Sequence, residues 1–307
     1  MSTDSAPTNR ASIRTPWTVL KAYVALTKPR VIELLLVTTA PTMVLAERGI
    51  PNLWLVLGVL AAGSLSAGSA NAFNMYIDRD IDLLMSRTQG RPIVSGIISP
   101  RAALVFATTI GLVSIVTLWL IANPLTALLS LGAILFYVLV YSLVLKRRTE
   151  QNIVWGGIAG CFPVLIGWSA VTGSLALEPW ILFLLVFVWT PAHYWPLSLR
   201  YASDYAAADV PMLSVLRPKV AVGLQVILYA WATVVTSLIL IPAGQMGVVY
   251  TAVSVLVGAW FLYEAHTLYN KTVDGVEYSP MGVFHASNTY LTLLFVAVAL
   301  DPLVALR

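Results

Sequence analysis

Residues 102–145 read AALVFATTIGLVSIVTLWLIANPLTALLSLGAILFYVLVYSLVL, a stretch without a single Asp, Glu, Lys or Arg. The hydrocarbon core of a bilayer is about 30 Å thick and is crossed by about 20 residues of apolar helix. The stretch is long enough to cross twice, and Asn123-Pro124 interrupts it near its middle, where one helix can end and another begin. It therefore predicts two membrane-spanning helices joined by a tight turn.

Further charge-free stretches on both sides repeat this pattern. Hydrophobic residues make up 59% of the 307 residues and charged residues only 10%, against roughly 45–50% and about 25% in soluble domains. The apolar runs do not alternate with polar residues as in an outer-membrane barrel, and helices satisfy their backbone groups within lipid. We predict an all-α polytopic membrane protein with nine spans, near 31–47, 52–74, 102–121, 125–145, 153–173, 180–199, 219–241, 246–265 and 282–300. This composition excludes a soluble domain, a disordered chain and, with Cys161 as the single cysteine, a disulfide scaffold.

The basic residues are distributed unevenly between the two sets of loops. With nine helices, all 18 Lys and Arg residues except Arg48 and Arg307 lie on the side of the chain start. The positive-inside rule places that side in the cytoplasm and the C-terminus outside. The net charge of +4 then reflects topology, and we expect no nucleic-acid partner.

The start of the chain differs from the rest in composition. Residues 1–21 are rich in Ser, Thr, Pro and Arg, and we predict a disordered cytoplasmic tail there, followed by one membrane domain over 22–303. No short apolar core with a small-residue cleavage site precedes the first span, so a removable signal peptide is not expected. We favour a multi-pass protein of a bacterial cytoplasmic membrane over an organellar protein.

The clearest departure from topology is an acidic stripe at the end of the second span, in the sequence N71-A-F-N74-M-Y-I-D78-R-D80-I-D82. If the helix continues through it, Asn71, Asn74, Asp78 and Asp82 lie within about an 80° arc on one face. Their oxygens suit octahedral Mg²⁺ that also binds substrate phosphate oxygens. The alternative is a solvated helix end that pairs with the neighbouring arginines. Because these acids crowd the side that otherwise holds bases, we predict a site for a magnesium-chelated diphosphate.

With this motif the sequence resembles the UbiA-type intramembrane prenyltransferases, whose first Asp-rich motif is Asn, three residues, Asp, three residues, Asp. Asn74, Asp78 and Asp82 match it. Within that superfamily the sequence is similar to the branch that farnesylates haem. The matching segments are L26-T-K-P-R-V31, A70-N-A-F-N-M-Y-I-D-R-D-I-D82, M85-S-R-T-Q-G-R-P92, T190-P-A-H-Y-W195, D204-Y-A-A-A-D-V-P-M-L213 and F284-H-A-S-N-T-Y-L291. The resemblance implies a UbiA-type bundle of nine helices.

A second polar constellation follows the sixth span, in W189-T-P-A-H193-Y-W-P-L-S-L-R200-Y201-A-S-D204-Y205. The resemblance makes it the second acidic motif, in which Asp204 joins Asn74, Asp78 and Asp82 as a magnesium ligand. Ser203 stands where the family commonly has another Asp, so a symmetric pair of metals is in doubt. Asp209 lies about 140° further around a helix and is not an obvious co-ligand.

Basic and aromatic side chains near both motifs are the remaining candidates. Guanidinium groups bind phosphate oxygens in bidentate fashion, although topology alone also explains bases on this side. We expect the diphosphate to be bound by Arg87, Arg91, Arg200 and Lys146. By resemblance, His193 faces haem as an axial ligand or proton acceptor, with Tyr141, Tyr201 and Trp189 against haem or the prenyl chain. The alternatives are a packing histidine and interfacial aromatics. The role of Glu33 stays open.

The resemblance implies one activity: Mg²⁺-assisted ionisation of farnesyl diphosphate and transfer of the farnesyl group to a vinyl group of haem b. Catalysis would then fall to Asp78, Asp82, Asp204 and His193, within the lipid bilayer, and a haem A synthase could take the product. Two alternatives stay open. One is a UbiA-type enzyme with a quinone-precursor or chlorophyllide acceptor, and the other is an ion-coupled transporter, although the sequence has no convincing internal repeat.

Overall fold

A computed structural model of the chain describes residues 15–305, and this part of the chain is helical. Nine of its helical segments are long and apolar enough to cross a membrane, which confirms the prediction of nine spans. Their bounds are Pro29–Glu47 (α2), Leu53–Ile77 (α3), Pro100–Ile121 (α4), Pro124–Leu135 (α5) continued by a π-helix over Phe136–Leu145, Asn152–Gly156 (α6) with Ile158–Thr172 (α7), Leu177–Arg200 (α8), Lys219–Ala243 (α11), Val248–Val273 (α12) and Met281–Ala305 (α13).

Shorter elements complete the chain at the end of the bundle that carries the Asp motifs. They are Pro16–Leu26 (α1), a 3₁₀ turn over Ile81–Leu83, Ala202–Ala207 (α9) and Leu213–Leu216 (α10). The predicted break between the third and fourth spans is confirmed, because Asn123 caps α5 by accepting a hydrogen bond from the Thr126 backbone N–H at 2.9 Å. Pro124 is the first residue of that helix, where its missing N–H costs nothing.

The predicted disordered tail over 1–21 is wrong in its last residues. Residues 1–14 lie outside the described part of the chain, but α1 begins at Pro16. Its start is a cap that sequence reasoning overlooked, in which the Thr15 hydroxyl accepts a hydrogen bond from the Thr18 N–H at 3.2 Å. The helix is held because Ala22 and Leu26 are buried in a hydrophobic cluster with residues of α3 and α4.

The packing of the spans explains the unusual composition. The largest buried cluster joins α7, α8, α11, α12 and α13 and includes large side chains such as Trp195, Tyr250 and Phe261. Side chains on the outer faces are apolar as well, with Leu120 75% and Leu256 71% exposed. In water such a surface would be unfavourable, but in lipid it requires no polar cover. A bundle of this kind has apolar residues both inside and outside.

The end of the bundle away from the Asp motifs holds one buried acid. Asp301 on α13 is 4% exposed and accepts hydrogen bonds from the backbone N–H groups of Gly247 at 2.5 Å and Tyr250 at 3.0 Å. These groups belong to the first turn of α12, whose amides have no partner within their own helix. Asp301 therefore caps α12 from a neighbouring helix.

Candidate active site

The acidic stripe lies at the end of α3, but it is not one continuous helix. α3 ends at Ile77, and Asp82 lies in the following 3₁₀ turn. The expectation of a helix through Asp82 is therefore wrong. One reason is that Arg147 donates a hydrogen bond to the Ile77 carbonyl at 3.1 Å and to both Asp80 oxygens, at 2.6 and 2.7 Å, which holds the chain in a turn.

The turn nevertheless brings the expected side chains together. Asn74 is 2% exposed, and Asp78 and Asp82 are fully buried. The Asp82 N–H donates to the Asp78 carbonyl at 2.9 Å, which keeps the two residues one turn apart. Burial raises the pKa of the Asp82 carboxyl above its usual range, and the nearby Asp78 carboxylate adds to this rise while Arg91 opposes it. The stripe is thus a compact buried cluster.

Each buried carboxylate is paired with a cation, as a desolvated charge requires. Lys146 donates a hydrogen bond to Asp78 Oδ2, and Arg91 Nη1 donates to Asp82 Oδ2 at 2.6 Å. Arg147 also approaches Asp78 Oδ1, at 3.6 Å. The predicted diphosphate ligands Lys146 and Arg91 therefore lie beside the acidic pair.

A third cation at this place, Lys28, was missed as a site residue by sequence reasoning, which counted it only as a basic residue of the cytoplasmic side. It lies between α1 and α2 with a left-handed backbone φ of 51°, and its Nζ donates to Asn74 Oδ1 at 2.8 Å. Burial, together with Arg91 and Lys146, lowers the pKa of Lys28 to about 7. The L26-T-K-P-R-V31 segment was the signal that could have found it.

Asp204 occupies a separate position, on α9. Its Oδ1 accepts a hydrogen bond from the Ser86 hydroxyl at 2.9 Å, and its Oδ2 lies 3.8 Å from Arg87 Nε. The Ser86 hydrogen bond is the largest of the contacts that lower the pKa of Asp204 below its usual range. The Arg87 guanidinium lies 5.1 Å from the ring of Tyr201 and 4.8 Å from that of Tyr205. Asp204 therefore binds the segment that follows the acidic stripe.

The fit of these residues to a metal can be judged from the carboxylate oxygens that lack a hydrogen bond. Asp78 Oδ1, Asp82 Oδ1 and Asp204 Oδ2 are buried without a hydrogen-bond partner, which is uncommon and invites a ligand. Within residues 15–305, however, no three acidic, His or Cys groups converge as a metal cluster. The donor set therefore fits a cation that arrives with its own phosphate ligands better than a metal held by protein alone.

The π-helix places two tyrosines beside the acidic pair. Tyr137 and Tyr141 line the large cavity of the bundle. Ser142 donates a hydrogen bond to the Tyr137 carbonyl at 2.9 Å and accepts one from the Asn74 amide at 3.1 Å. π-helical segments are rare and often occur at functional sites. This one ends next to Lys146, so its register sets where that cation lies.

The cavity has a volume of about 480 Å³ and extends from Asn74 and the basic side chains beside the acidic pair into the bundle between α2, α3, α5, α7 and α8. Asp78 and Asp82 lie behind these side chains and do not line it. Its mouth is lined by polar and basic side chains, namely Lys28, Asn71, Asn74, Arg87, Arg91 and Lys146. Its deeper walls are mainly apolar and include the hydroxyl side chains of Thr38, Thr39 and Ser66. Arg200, by contrast, is exposed and stacks near Tyr201, with 5.9 Å between its guanidinium carbon and the ring centre. Arg200 and Tyr201 are not part of the cavity wall.

His193 lies behind that wall rather than in it. Its ring stacks between Trp189 at 4.3 Å and Phe284 at 4.6 Å, and Nδ1 lies 2.9 Å from Ser287 Oγ. The Ser287 hydroxyl also lies 2.7 Å from the Phe284 carbonyl, to which it can donate. In the tautomer in which Nδ1 donates to Ser287, Nε2 keeps its lone pair. Trp189 does line the cavity. His193 is therefore held between two aromatic rings and Ser287.

The remaining candidates from the sequence lie away from this site. His285 and Asp209 are exposed, and Asp209 has a left-handed φ of 50°. Glu33 is exposed on α2. His266 is half-buried on α12, with its Nδ1 2.8 Å from the carbonyl of Leu262 on the same helix.

Comparisons with known proteins agree with this geometry. The model of the UbiA prenyltransferase family matches residues 35–288. Among relatives called protoheme IX farnesyltransferase, that of Clavibacter michiganensis subsp. michiganensis (strain NCPPB 382) is 65% identical, covering 92% of each chain. That of Leifsonia xyli subsp. xyli (strain CTCB07) is 62% identical, also over 92% of each chain.

Solved structures share the fold at low identity. A digeranylgeranylglyceryl phosphate synthase structure gives a TM-score of 0.75 at 16% identity, covering 93% of this chain and 99% of that one. A UbiA homolog from Archaeoglobus fulgidus, bound to DMAPP and Mg²⁺, gives 0.68 at 18% identity over 90% and 99% of the two chains. With a family match that spans most of its length, this chain belongs to the UbiA prenyltransferase family.

Proposed function

We propose that this chain transfers the farnesyl group of farnesyl diphosphate to a vinyl group of haem b, giving haem O. The observation that carries the proposal is a set of three basic side chains at the mouth of a deep, mainly apolar cavity, two of them paired with buried carboxylates. A diphosphate needs the charged mouth, and a prenyl chain needs the apolar interior. The choice of haem as acceptor is supported by the relatives at 62–65% identity that are called protoheme IX farnesyltransferase.

The mouth is suited to stabilise a departing diphosphate. Lys28, Arg91 and Lys146 surround Asn74 and the acidic pair, and Arg87 lies at the edge of the cavity. Such preorganised charges act where negative charge develops in the transition state. Asp78 and Asp82 would hold Mg²⁺ through the oxygens that lack a hydrogen bond, with Asp204 added from α9. Asn74 would join them through the oxygen that now accepts from Lys28, and the ion would supply further charge neutralisation on the diphosphate.

The reaction balances without an oxidant or reductant. The bond between C1 of the farnesyl chain and its oxygen breaks, and the electron pair leaves with diphosphate. The vinyl group of haem attacks C1, and water then adds to the other vinyl carbon and loses a proton. Tyr137 and Tyr141 line the cavity beside the mouth, where their ring faces would stabilise an allylic cation. The apolar walls would delay its capture by water.

His193 is the residue proposed to face the haem. With Nδ1 donating to Ser287, Nε2 would be left to ligate haem iron or to accept the proton. Trp189 stacks on His193 and lines the cavity, so haem bound by His193 would lie next to Trp189. Tyr141 and Trp189 then belong to the prenyl side, and Tyr201 to the rim with Arg87 and Arg200.

We also propose the setting in which the enzyme works. The nine spans and the bacterial relatives support a multi-pass protein of the bacterial cell membrane. The uneven distribution of basic residues supports a cytoplasmic N-terminus and an active site that opens to the cytoplasm. A haem A synthase is the proposed recipient of the product.

The test is a direct assay of the acceptor. Purified protein is incubated with farnesyl diphosphate, Mg²⁺ and either haem b or 4-hydroxybenzoate, and the products are identified by mass spectrometry. Farnesylated haem with one added water, and no prenylated benzoate, is the expected result. Prenylated benzoate without a haem product would mean that the acceptor is a quinone precursor and not haem. Membership of a prenyltransferase family leaves the ion-coupled transporter without support.

A further inference from the structure

At the end away from its mouth, the cavity borders a buried hydrophobic cluster. Val59 of α3 and Ile166 of α7 both line the cavity, and both belong to one buried hydrophobic cluster. The other members of this cluster are Met43, Ala62, Leu118, Ala127 and Ala170. Because packed apolar side chains leave little free volume, the cluster forms a floor.

The distance between mouth and floor can be read from two helices. Gly63 precedes Asn74 by eleven residues on α3, and Thr39 follows Lys28 by eleven residues along α2. At 1.5 Å per residue each wall is about 16 Å long, and all four residues line the cavity. Val59 lies one further helical turn below Gly63, about 6 Å deeper.

The deep part of the cavity owes its width to two glycines. Gly63 of α3 and Gly160 of α7 line the cavity, and a Cβ placed on either glycine would meet no atom within 4 Å. Neither glycine has a positive φ, so neither is needed for a special backbone conformation. Side chains at these positions would project into open space that a ligand could otherwise fill.

We propose that Gly63 and Gly160 make room for the third isoprene unit, and that Val59 and Ile166 set the upper limit of chain length. Each unit adds four chain carbons, or about 5 Å of extended length at C–C bonds of about 1.5 Å. A farnesyl chain of about 15 Å with its diphosphate at Asn74 ends near Gly63, and a fourth unit reaches Val59. This inference rests on the proposed function because it assumes a prenyl diphosphate at the mouth.

The test measures binding and needs no acceptor. Unreactive thiolodiphosphate analogues of the geranyl, farnesyl and geranylgeranyl substrates are titrated with Mg²⁺ into the full-length protein. In Gly63→Leu the affinity for the farnesyl analogue should fall at least tenfold, whereas that for the geranyl analogue should change less than twofold. In Val59→Ala the affinity for the geranylgeranyl analogue should rise at least fivefold. The matched control is Ala61→Leu, because Ala61 is exposed on the outer face of the same helix.

Different outcomes test the chain-length inference and the proposed function. Equal losses for all three analogues in Gly63→Leu, or no change in either variant, would overturn the role of the floor and the glycines. The higher affinity of Val59→Ala for the geranylgeranyl analogue cannot result from misfolding, so it supports the inference even if Gly63→Leu is damaged. If the unaltered protein binds none of the analogues, the proposed function fails together with the inference. If the chain-length preferences shift as expected while haem is not prenylated, the inference stands and only the acceptor is wrong.

Discussion

At the mouth of the cavity, single side chains are placed where isolated charges would be costly. Asp78 and Asp82 are fully buried, and each has a cation on one oxygen and a second oxygen without a hydrogen bond. Removing one partner of such a pair leaves an uncompensated buried charge. Variants at these positions should therefore keep the size of the side chain. The control for each variant is the same substitution at an exposed residue of the same type.

Lys28 gives the first prediction. Lys28→Met should lower kcat/KM for farnesyl diphosphate by roughly ten- to a hundredfold, because a hydrogen bond to a charged group contributes about 1.5–3 kcal/mol. Steady-state kinetics with varied farnesyl diphosphate measure it. Lys21→Met is the control, since Lys21 is exposed on α1 and lies over Trp17. Equal kinetics in both variants would remove Lys28 from the site.

His193 gives the second prediction. His193→Ala should weaken haem b binding at least tenfold and leave the affinity for farnesyl thiolodiphosphate unchanged, because the imidazole lies behind Trp189 and outside the cavity wall. Titration followed by the haem absorption spectrum measures the first affinity. The control is His285→Ala, because His285 is exposed and lies on α13 next to Phe284, which contacts His193. A loss of diphosphate affinity instead would place His193 on the prenyl side.

Among the elements, helix ends carry more of the site than helix middles. The end of α3, the end of the π-helix and the junction of α1 with α2 supply Asp78, Lys146 and Lys28. At the far end of the bundle, α12 begins at a buried carboxylate from α13. Such contacts fix the positions of neighbouring helices relative to one another, because they supply hydrogen bonds to backbone groups that have no partner within their own helix.

The cap on α12 gives a prediction for stability. Asp301→Ala should destabilise the protein by about 1–2 kcal/mol, the usual cost of losing a helix cap. The midpoint of thermal unfolding in detergent should fall, while Asp274→Ala, at an exposed position just after α12, should leave it unchanged. An unchanged midpoint in Asp301→Ala would mean that the N–H groups of Gly247 and Tyr250 find other partners.

Hydropathy was sufficient to predict all nine spans, since continuous apolar runs have few other solutions in lipid. It did not predict α1, because a single amphipathic helix of eleven residues is stabilised by its buried contacts rather than by its own sequence. The end of α3 at Ile77 was also missed, because Arg147, which is distant in sequence, binds the turn. Hydropathy marks apolar length, whereas these features depend on tertiary contacts.

The candidate site also contains residues that the sequence predicted and residues whose positions depend on tertiary contacts. The spacing of four residues was sufficient to predict that Asn74, Asp78 and Asp82 lie together, because it corresponds to about one helical turn. Lys28 was not predicted as a site residue, since topology already explains a base on the side predicted to be cytoplasmic. The position of His193 behind Trp189 could not be predicted, because it depends on the packing of α8 against α13.

The whole molecule is polarised, with its charged cavity mouth at one end of an apolar bundle. The orientation of this bundle gives a further prediction, tested on a Cys161→Ser background because Cys161 is the single cysteine. In intact bacteria a membrane-impermeant maleimide should label Ser174→Cys, in the loop between α7 and α8, and should not label Ser95→Cys, between α3 and α4. Both positions are exposed. The reverse pattern would place the mouth outside the cell.

The central claim is that the buried carboxylates bind a magnesium-chelated prenyl diphosphate and ionise it. The most direct measurement is haem O formation as a function of Mg²⁺ concentration, by mass spectrometry, in the unaltered protein, Asp78→Asn and Asp209→Asn. We predict that product requires Mg²⁺, falls at least a hundredfold in Asp78→Asn at saturating haem, and is unchanged in Asp209→Asn, whose carboxylate is exposed. Full activity in Asp78→Asn, or product formed equally well after the metal is chelated, would contradict the account.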